Sequence, residues 1–84
     1  MSLRFLRDSA GRKIDFVVVR DGKPVFAVEC KTGERDLSRN IPYFAARSDI
    51  PLFYQVHCGA KDVEFAATRA RILPLTVLAG ILKI

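Results

Sequence analysis

Three charged side chains could do chemistry together in this sequence if two apolar segments form a hairpin. Asp15 lies near the start of the first segment, and Glu29 and Lys31 lie at the end of the second. A hairpin would bring these ends together. Two carboxylates beside an amine can hold a hard divalent cation such as Mg²⁺, which prefers oxygen ligands and keeps several waters. The structural alternative is an ion pair at the end of a sheet.

The spacing of these residues constrains the connection between the two strands. Glu29 and Lys31 are two residues apart in a strand, so they project from the same face. A plain two-residue turn would pair Asp15 with Val28 and turn its carboxylate away from Glu29. A site built from all three residues therefore predicts a three- or five-residue loop, or a β-bulge.

The remaining pattern predicts an α/β fold with the order β-β-β-α-β followed by a C-terminal helix. Strands are predicted at residues 3–7, 12–20, 25–31 and 52–56, and residues 69–73 form a further candidate strand. A helix is expected to begin at Leu37 or Asn40 and to end near Arg47, and a final helix spans residues 74–82. Residues 63–67 are ambiguous. A strand–helix–strand crossover predicts that segments 25–31 and 52–56 are parallel.

Apolar spacing predicts the buried faces of the two helices. The members are Leu37, Ile41, Phe44 and Ala45 in the first helix, and Leu75, Leu78, Ala79 and Leu82 in the second. His57 is expected in a loop, and the two cysteines are expected to be small buried side chains. Tyr43 is expected to belong to the core.

Length and composition indicate one small domain with a preference for anionic partners. The chain has 84 residues, of which half are apolar, and a net charge of +5. No signal peptide, membrane-spanning segment or glycine-rich ATP-binding loop is visible, so we expect a cytoplasmic location, no membrane contact and no ATPase activity from this chain.

The acidic and basic residues carry a family resemblance. Asp15, then Glu29-Cys30-Lys31 at the end of a second apolar strand, then a helix and a third strand, resembles the PD-(D/E)xK nuclease superfamily. The nearest likeness is to the nuclease-like C-terminal domain of prokaryotic AAA-type ATPases. The phrases Gly-Arg-Lys-Ile-Asp-Phe-Val, Ala-Val-Glu-Cys-Lys-Thr-Gly and Ile-Leu-Pro-Leu carry it, and it covers roughly residues 4–82.

The resemblance implies a restriction-endonuclease-like fold and a set of roles. Asp15 and Glu29 would be ligands of Mg²⁺ or Mn²⁺, the backbone carbonyl of Cys30 a further ligand, and Lys31 the catalytic lysine. The sequence departs from the superfamily in one respect, because the helix that usually opens the core has no room before the first strand. We therefore expect that the chain is a C-terminal fragment of a longer protein, that a partner supplies this helix, or that the site is incomplete.

Three hypotheses of function follow. The first is a DNA-binding domain that hydrolyses phosphodiester bonds with Mg²⁺. The second is a non-catalytic accessory or assembly domain of an AAA-type ATPase in the same parent chain. The third is a domain that forms a homo-oligomer through its apolar C-terminal helix. Under the first hypothesis, basic side chains near the site would line a phosphate track; the candidates are Arg7, Arg12, Lys13, Arg35 and Arg39.

Overall fold

A six-stranded mixed sheet and two helices make up the described part of the chain. The computed structural model describes residues 2–7 and 11–82. The elements are β1 (Ser2–Arg7), β2 (Lys13–Arg20), β3 (Lys23–Cys30), α1 (Asn40–Ala45), β4 (Phe53–His57), β5 (Val63–Phe65), a 3₁₀ turn (Ala66–Thr68), β6 (Ala70–Pro74) and α2 (Leu75–Leu82). The strand order is β1-β2-β3-β4-β6-β5. The predicted α/β class is confirmed, and β3 and β4 are parallel as expected.

A two-residue turn and a β-bulge together join β2 to β3. The turn residues Asp21 and Gly22 both have positive φ, 53° and 76°. Positive φ at both central positions defines a type I′ turn, which suits the right-handed twist of a hairpin. Beside the turn the register shifts by one residue, because Val25 is passed over in the pairing. The turn and the bulge together therefore give β2 and β3 the same register as a loop with an odd number of residues would.

The bulge sets the positions of the acidic residues. Beyond it, Phe16 pairs with Val28. The printed pairing ends there, and the same register continued by one residue would bring Asp15 opposite Glu29. A β-bulge, one of the two connections predicted for a site of three residues, is therefore present, and the site itself stays a prediction.

A second bulge lies in β2 at Asp15 itself. Between its pairings at Val17 and Ile14, β2 has one residue more than β1, so Asp15 and Phe16 share one position. Ile14 and Val17 consequently belong to the same core cluster although they are three residues apart. Bulges re-aim side chains and recur beside active sites. Because of this bulge, Asp15 does not follow the ordinary alternation of side chains between the two faces of a strand.

The sheet has an apolar cluster on each face. The cluster that α1 covers contains Ile14, Val17, Ala27, Ile41, Phe44, Ala45, Ile50, Phe53 and Ala70. The cluster beside α2 contains Val18, Phe26, Val28, Tyr54, Val56, Leu73 and Leu78. All five residues of β4 are buried, as expected for a parallel strand between two layers.

The helices differ from prediction in length and in one buried position. α1 begins at Asn40, one of its two predicted starts, and ends at Ala45 instead of Arg47. In α2, Leu78 is buried, but Leu75 is 51% exposed, so its predicted place on the buried face is wrong. Pro74 is the last residue of β6 instead of the first of the helix, and α2 therefore starts beyond the edge of the cluster.

Exposed apolar side chains remain on α2. Leu75, Val77 and Ile81 are all solvent-exposed, and an apolar groove of about 240 Å³ runs between α2 and the hairpin. Oligomer formation through α2 remains a prediction. No helix in the described ranges is long and apolar enough to cross a membrane.

The packing of α1 predicts which substitutions unfold the domain. A six-residue helix is too short to be stable in isolation, so its order depends on side chains such as Ile41, which is fully buried. We expect Ile41→Ala to lower the free energy of unfolding by about 2–5 kcal/mol. The control Leu75→Ala should change it by no more than about 0.5 kcal/mol. Urea denaturation measures both, and equal losses would contradict the assignment of α1 to the core.

Candidate functional site

Glu29 is a buried carboxylate at the end of β3 whose two oxygens have unequal surroundings. Its side chain is 7% exposed. The Oε1 atom accepts a hydrogen bond of 3.3 Å from Asn40 Nδ2 and lies 3.7 Å from Lys31 Nζ. The Oε2 atom is buried and has no hydrogen-bond partner among residues 2–7 and 11–82. Burying a charged oxygen without a partner costs free energy, so this atom is a natural position for a ligand.

Asp15 is fixed to the strand that carries Glu29. Its Oδ2 accepts a hydrogen bond of 2.8 Å from the backbone N–H of Cys30, the residue after Glu29. Its Oδ1 lies 4.0 Å from Lys13 Nζ, and its side chain is 30% exposed. Within residues 11–82 no hydrogen bond or ion pair joins Asp15 directly to Glu29 or Lys31. The three predicted site residues thus meet at one end of the hairpin, with Cys30 between the carboxylates.

The Cys30 thiol lies near both carboxylates. Partial burial raises its pKa first, and the charges of Asp15 and then Glu29 raise it further. Negative charge near a thiol disfavours the thiolate, while Lys13 and Lys31 each lie within 4.0 Å of one of the two carboxylates. Cys30 and Cys58 are both free and solvent-exposed, and the prediction that the cysteines are buried is wrong. Each cysteine comes directly after a buried residue at the end of a strand, Glu29 in β3 and His57 in β4.

Asn40 is a site residue that sequence reasoning missed. Its Nδ2 donates to the backbone carbonyl of Lys13 at 2.9 Å as well as to Glu29. The amide therefore ties the first residue of α1 to both strands of the hairpin. The sequence signal was only its position at a helix start, which gives no information about a carboxylate eleven residues earlier.

Gln55 lies next to Glu29 in the sheet but is fully occupied. The two residues are paired across β3 and β4, and Gln55 is completely buried. Its Oε1 accepts from the N–H of Ser38 at 2.7 Å, and its Nε2 donates to the carbonyl of Asp36 at 3.0 Å. The side chain therefore anchors the segment before α1, and both ends of its amide are used.

His57 is a strand residue and is not the loop histidine predicted. It is the last residue of β4 and is 2% exposed. Its Nδ1 accepts from the N–H of Gly59 at 2.8 Å, and its Nε2 lies 2.8 Å from the carbonyl of Lys61. Because Nδ1 is an acceptor, the proton is on Nε2, which donates to Lys61. Both nitrogens are engaged, so His57 holds the following loop.

Glu34 binds the same loop from the other side. Its Oε2 accepts from the backbone N–H groups of Ala60 at 2.5 Å and Lys61 at 2.7 Å. These two hydrogen bonds hold the pKa of Glu34 below its ordinary value of 4.5. Asp36 is fully solvated, and its Oδ1 lies 3.7 Å from Lys61 Nζ. Glu34 is therefore a loop clamp at the surface.

The donor atoms at the end of the hairpin are carboxylate oxygens, the ligand type that a hard divalent cation prefers. Asp15 binds the N–H of Cys30, the residue after Glu29, and one buried oxygen of Glu29 lacks a partner among the described residues. The described ranges contain no group of three or more His, Cys, Asp or Glu side chains that could hold a metal. A cation would thus take Asp15 and Glu29 and complete its shell with waters or a backbone oxygen. The role of the Cys30 carbonyl stays a prediction.

A family model matches nearly the whole chain. Residues 1–78 match the family described as a domain of unknown function, DUF4143. The chain belongs to this family. Comparison of this DUF4143 chain with curated proteins and with solved structures finds no match.

Acid should weaken the loop clamp in a predictable range. The folded-state pKa of Glu34 is lowered, so its stabilisation is complete above about pH 4.5, the ordinary pKa, and is lost as the pH falls through the lower folded-state value. We expect Glu34→Gln to lower the melting temperature at pH 7, and this deficit to shrink as the pH falls below about 4.5. Asp36→Asn is the control, because that carboxylate accepts no backbone hydrogen bond. A Glu34→Gln deficit that persists unchanged at pH 3 would contradict this account.

Proposed function

We propose that this DUF4143 chain is a nuclease-like domain of the PD-(D/E)xK type that binds DNA and hydrolyses phosphodiester bonds with Mg²⁺ or Mn²⁺. The observation that carries the proposal is the buried Oε2 of Glu29, which has no hydrogen-bond partner in the described part of the chain. The next residue, Cys30, binds the Asp15 carboxylate through its N–H. A buried carboxylate oxygen without a partner does not stabilise the fold. A bound cation would compensate the negative charge of this oxygen.

The side chains have separate roles in this proposal. Asp15 and Glu29 would hold the cation, which when bound supplies charge neutralisation at a phosphoryl oxygen and a more acidic water. Lys31 is half-buried, with its ammonium 3.7 Å from Glu29 Oε1. It can orient a water or neutralise charge that develops on the phosphate.

Two neutral groups would keep the carboxylates in position. The N–H of Cys30 holds Asp15, and the amide of Asn40 holds Glu29 while it binds the backbone of β2. Hydrogen bonds from fixed donors reduce the freedom of each carboxylate before a ligand arrives. Such pre-organisation is what a precise site requires.

The sheet supports the fold part of the proposal. A β-hairpin is followed by a helix and a strand parallel to β3, with the acidic residues at the carboxyl end of β3. This arrangement agrees with the β-β-β-α-β order that the resemblance implies. The restriction-endonuclease-like assignment remains part of the proposal.

A second candidate is a non-catalytic accessory domain, attached to an AAA-type ATPase in the parent protein. The observation in its favour is that the described ranges hold no cluster of three metal-ligating side chains. Lys31 and Asn40 would then serve only to stabilise a buried carboxylate. The two candidates differ in whether the site binds a cation.

Cation binding can be tested by thermal unfolding. We expect millimolar Mg²⁺ or Mn²⁺ to raise the melting temperature of the wild type, because a ligand at a hundred times its Kd stabilises by about 2.7 kcal/mol. The increase should disappear in Asp15→Asn and in Glu29→Gln. Asp21→Asn should retain it, since Asp21 lies in the turn at the opposite end of the hairpin. An equal increase in all four proteins would favour unspecific binding and the accessory role.

Catalysis can be tested by plasmid nicking. We expect the wild type to nick supercoiled DNA with Mg²⁺ or Mn²⁺ and to be inactive in EDTA. Lys31→Ala should lower the rate by about a hundredfold or more, as for loss of one electrostatic group at a reacting centre. Lys23→Ala, at the far end of β3, is the matched control. Equal nicking by wild type and Lys31→Ala would reject the enzymatic role.

A further inference from the structure

The two lysines beside the carboxylates differ in how firmly their side chains are held. Lys31 Nζ lies 3.7 Å from Glu29 Oε1, and these side chains are 31% and 7% exposed. Lys13 Nζ lies 4.0 Å from Asp15 Oδ1, and the lysine side chain is 61% exposed. An ion pair this long and this exposed contributes little free energy. The ammonium of Lys13 can therefore leave Asp15 at small cost, whereas that of Lys31 is held beside a buried charge.

The backbone of Lys13 is anchored independently of its side chain. Its carbonyl accepts a hydrogen bond of 2.9 Å from Asn40 Nδ2, and the residue pairs with Arg7 across β1 and β2. A lysine ammonium is carried on a flexible stem of four carbons. The Lys13 ammonium can therefore reach more than one acceptor from a single fixed backbone position.

The two oxygens of Asp15 have partners of different kinds. Oδ2 accepts a hydrogen bond of 2.8 Å from the N–H of Cys30, a fixed backbone donor, whereas Oδ1 faces the movable ammonium of Lys13. A divalent cation held by Asp15 would therefore take Oδ1. Because a cation and an ammonium repel each other at such short range, Lys13 has to move away from that oxygen when the cation is bound.

A phosphate of bound DNA offers Lys13 its next acceptor. Divalent cations of this kind commonly bind one or two carboxylates together with substrate phosphates. A phosphate oxygen in the same coordination shell as Asp15 Oδ1 would be a neighbour of that oxygen, and thus within reach of the same lysine stem. An ammonium binds phosphate as a point charge, so the exchange needs no special orientation of the side chain.

We propose that Lys13 is an exchangeable counter-ion of the site. Its ammonium neutralises Asp15 Oδ1 when no cation is bound, and it transfers to a phosphate oxygen of the DNA strand when a divalent cation takes Oδ1. This inference rests on the proposed function, since it describes the regulation of the same site. It makes the attraction of DNA to Lys13 conditional on the cation, while Lys31 stays beside Glu29 throughout.

Titration calorimetry with Mn²⁺ alone, without DNA, tests the first half of the exchange. Lys13→Gln removes the competing charge, so we expect it to bind Mn²⁺ about fivefold more tightly than wild type, the factor for one unit charge about 4 Å away in water. Lys13→Arg keeps the charge and should bind like wild type. Lys23→Gln, at the other end of the hairpin, is the charge-matched control. If wild type binds Mn²⁺ and Lys13→Gln binds it with the same affinity, the counter-ion role is rejected.

Fluorescence anisotropy with a labelled, nuclease-resistant phosphorothioate duplex in saturating Mn²⁺ tests the second half. Here the effect should have the opposite sign: we expect Lys13→Gln to weaken DNA binding about fivefold at low salt and to reduce the slope of log affinity against log salt by about one. Lys13→Arg should restore binding, and Lys23→Gln should weaken it less. Tighter Mn²⁺ binding with unchanged DNA binding would show that the lysine does not transfer, and would overturn the exchange.

The outcomes separate this inference from the nuclease proposal. A wild type that binds no Mn²⁺ would remove the cation site and the exchange with it. A wild type that binds Mn²⁺ and nicks plasmid, but in which Lys13→Gln changes neither affinity, would remove the exchange alone. The two opposite effects in a protein that never nicks would support the exchange and remove only the catalytic role.

Discussion

The burial of the Glu29 carboxylate is the constraint on which the arrangement of the site depends. A charge that is nearly out of contact with water needs compensation. Lys31 and Asn40 provide it at Oε1, but no side chain or backbone group in the part of the chain that the structure describes provides it at Oε2. The position could instead be filled by an apolar residue, as at the preceding buried positions of β3. The sequence keeps a carboxylate where the core would be more stable without one, and that cost is typical of a functional residue.

The bulges explain how a short hairpin presents two carboxylates at one end. The type I′ turn at Asp21 and Gly22 is the tightest connection available, and alone it would place Asp15 opposite Val28. The extra residue Val25 corrects the register by one. The number of residues between Asp15 and Glu29 could be counted in the sequence, so the need for a bulge was predictable. The position of the bulge was not predictable, because several residues near the turn can leave the pairing at similar cost.

Long, strongly apolar segments were the predictable part of the fold. β2, β3 and β4 are apolar on both faces, and their order with one intervening helix determines that β3 and β4 are parallel. The errors concern residues whose environment is set by distant chain segments. His57 is buried because the loop after β4 folds back onto its two nitrogens. Leu75 is exposed because β6 continues through Pro74 and delays the start of α2.

The site shows the same division between local and long-range information. Asp15, Glu29 and Lys31 were predicted from residue type and from the number of residues between them, which are local properties of two strands. Asn40 could not be found in this way, because its contact with Glu29 depends on how α1 crosses the sheet. Tyr43 fits its predicted place at the core, but its contacts with Arg12 and Arg47 also required the crossing of α1 over β2.

Under the proposed function, cation binding and DNA binding must be coupled. A phosphate strand that reaches the end of the hairpin meets the negative charges of Asp15 and Glu29, which Lys13 and Lys31 offset only in part. A cation held by the carboxylates would remove most of the remaining repulsion. Because linkage is reciprocal, a bound strand would then tighten cation binding by the same factor. The carboxylates would therefore repel a DNA strand without the cation and admit it with the cation.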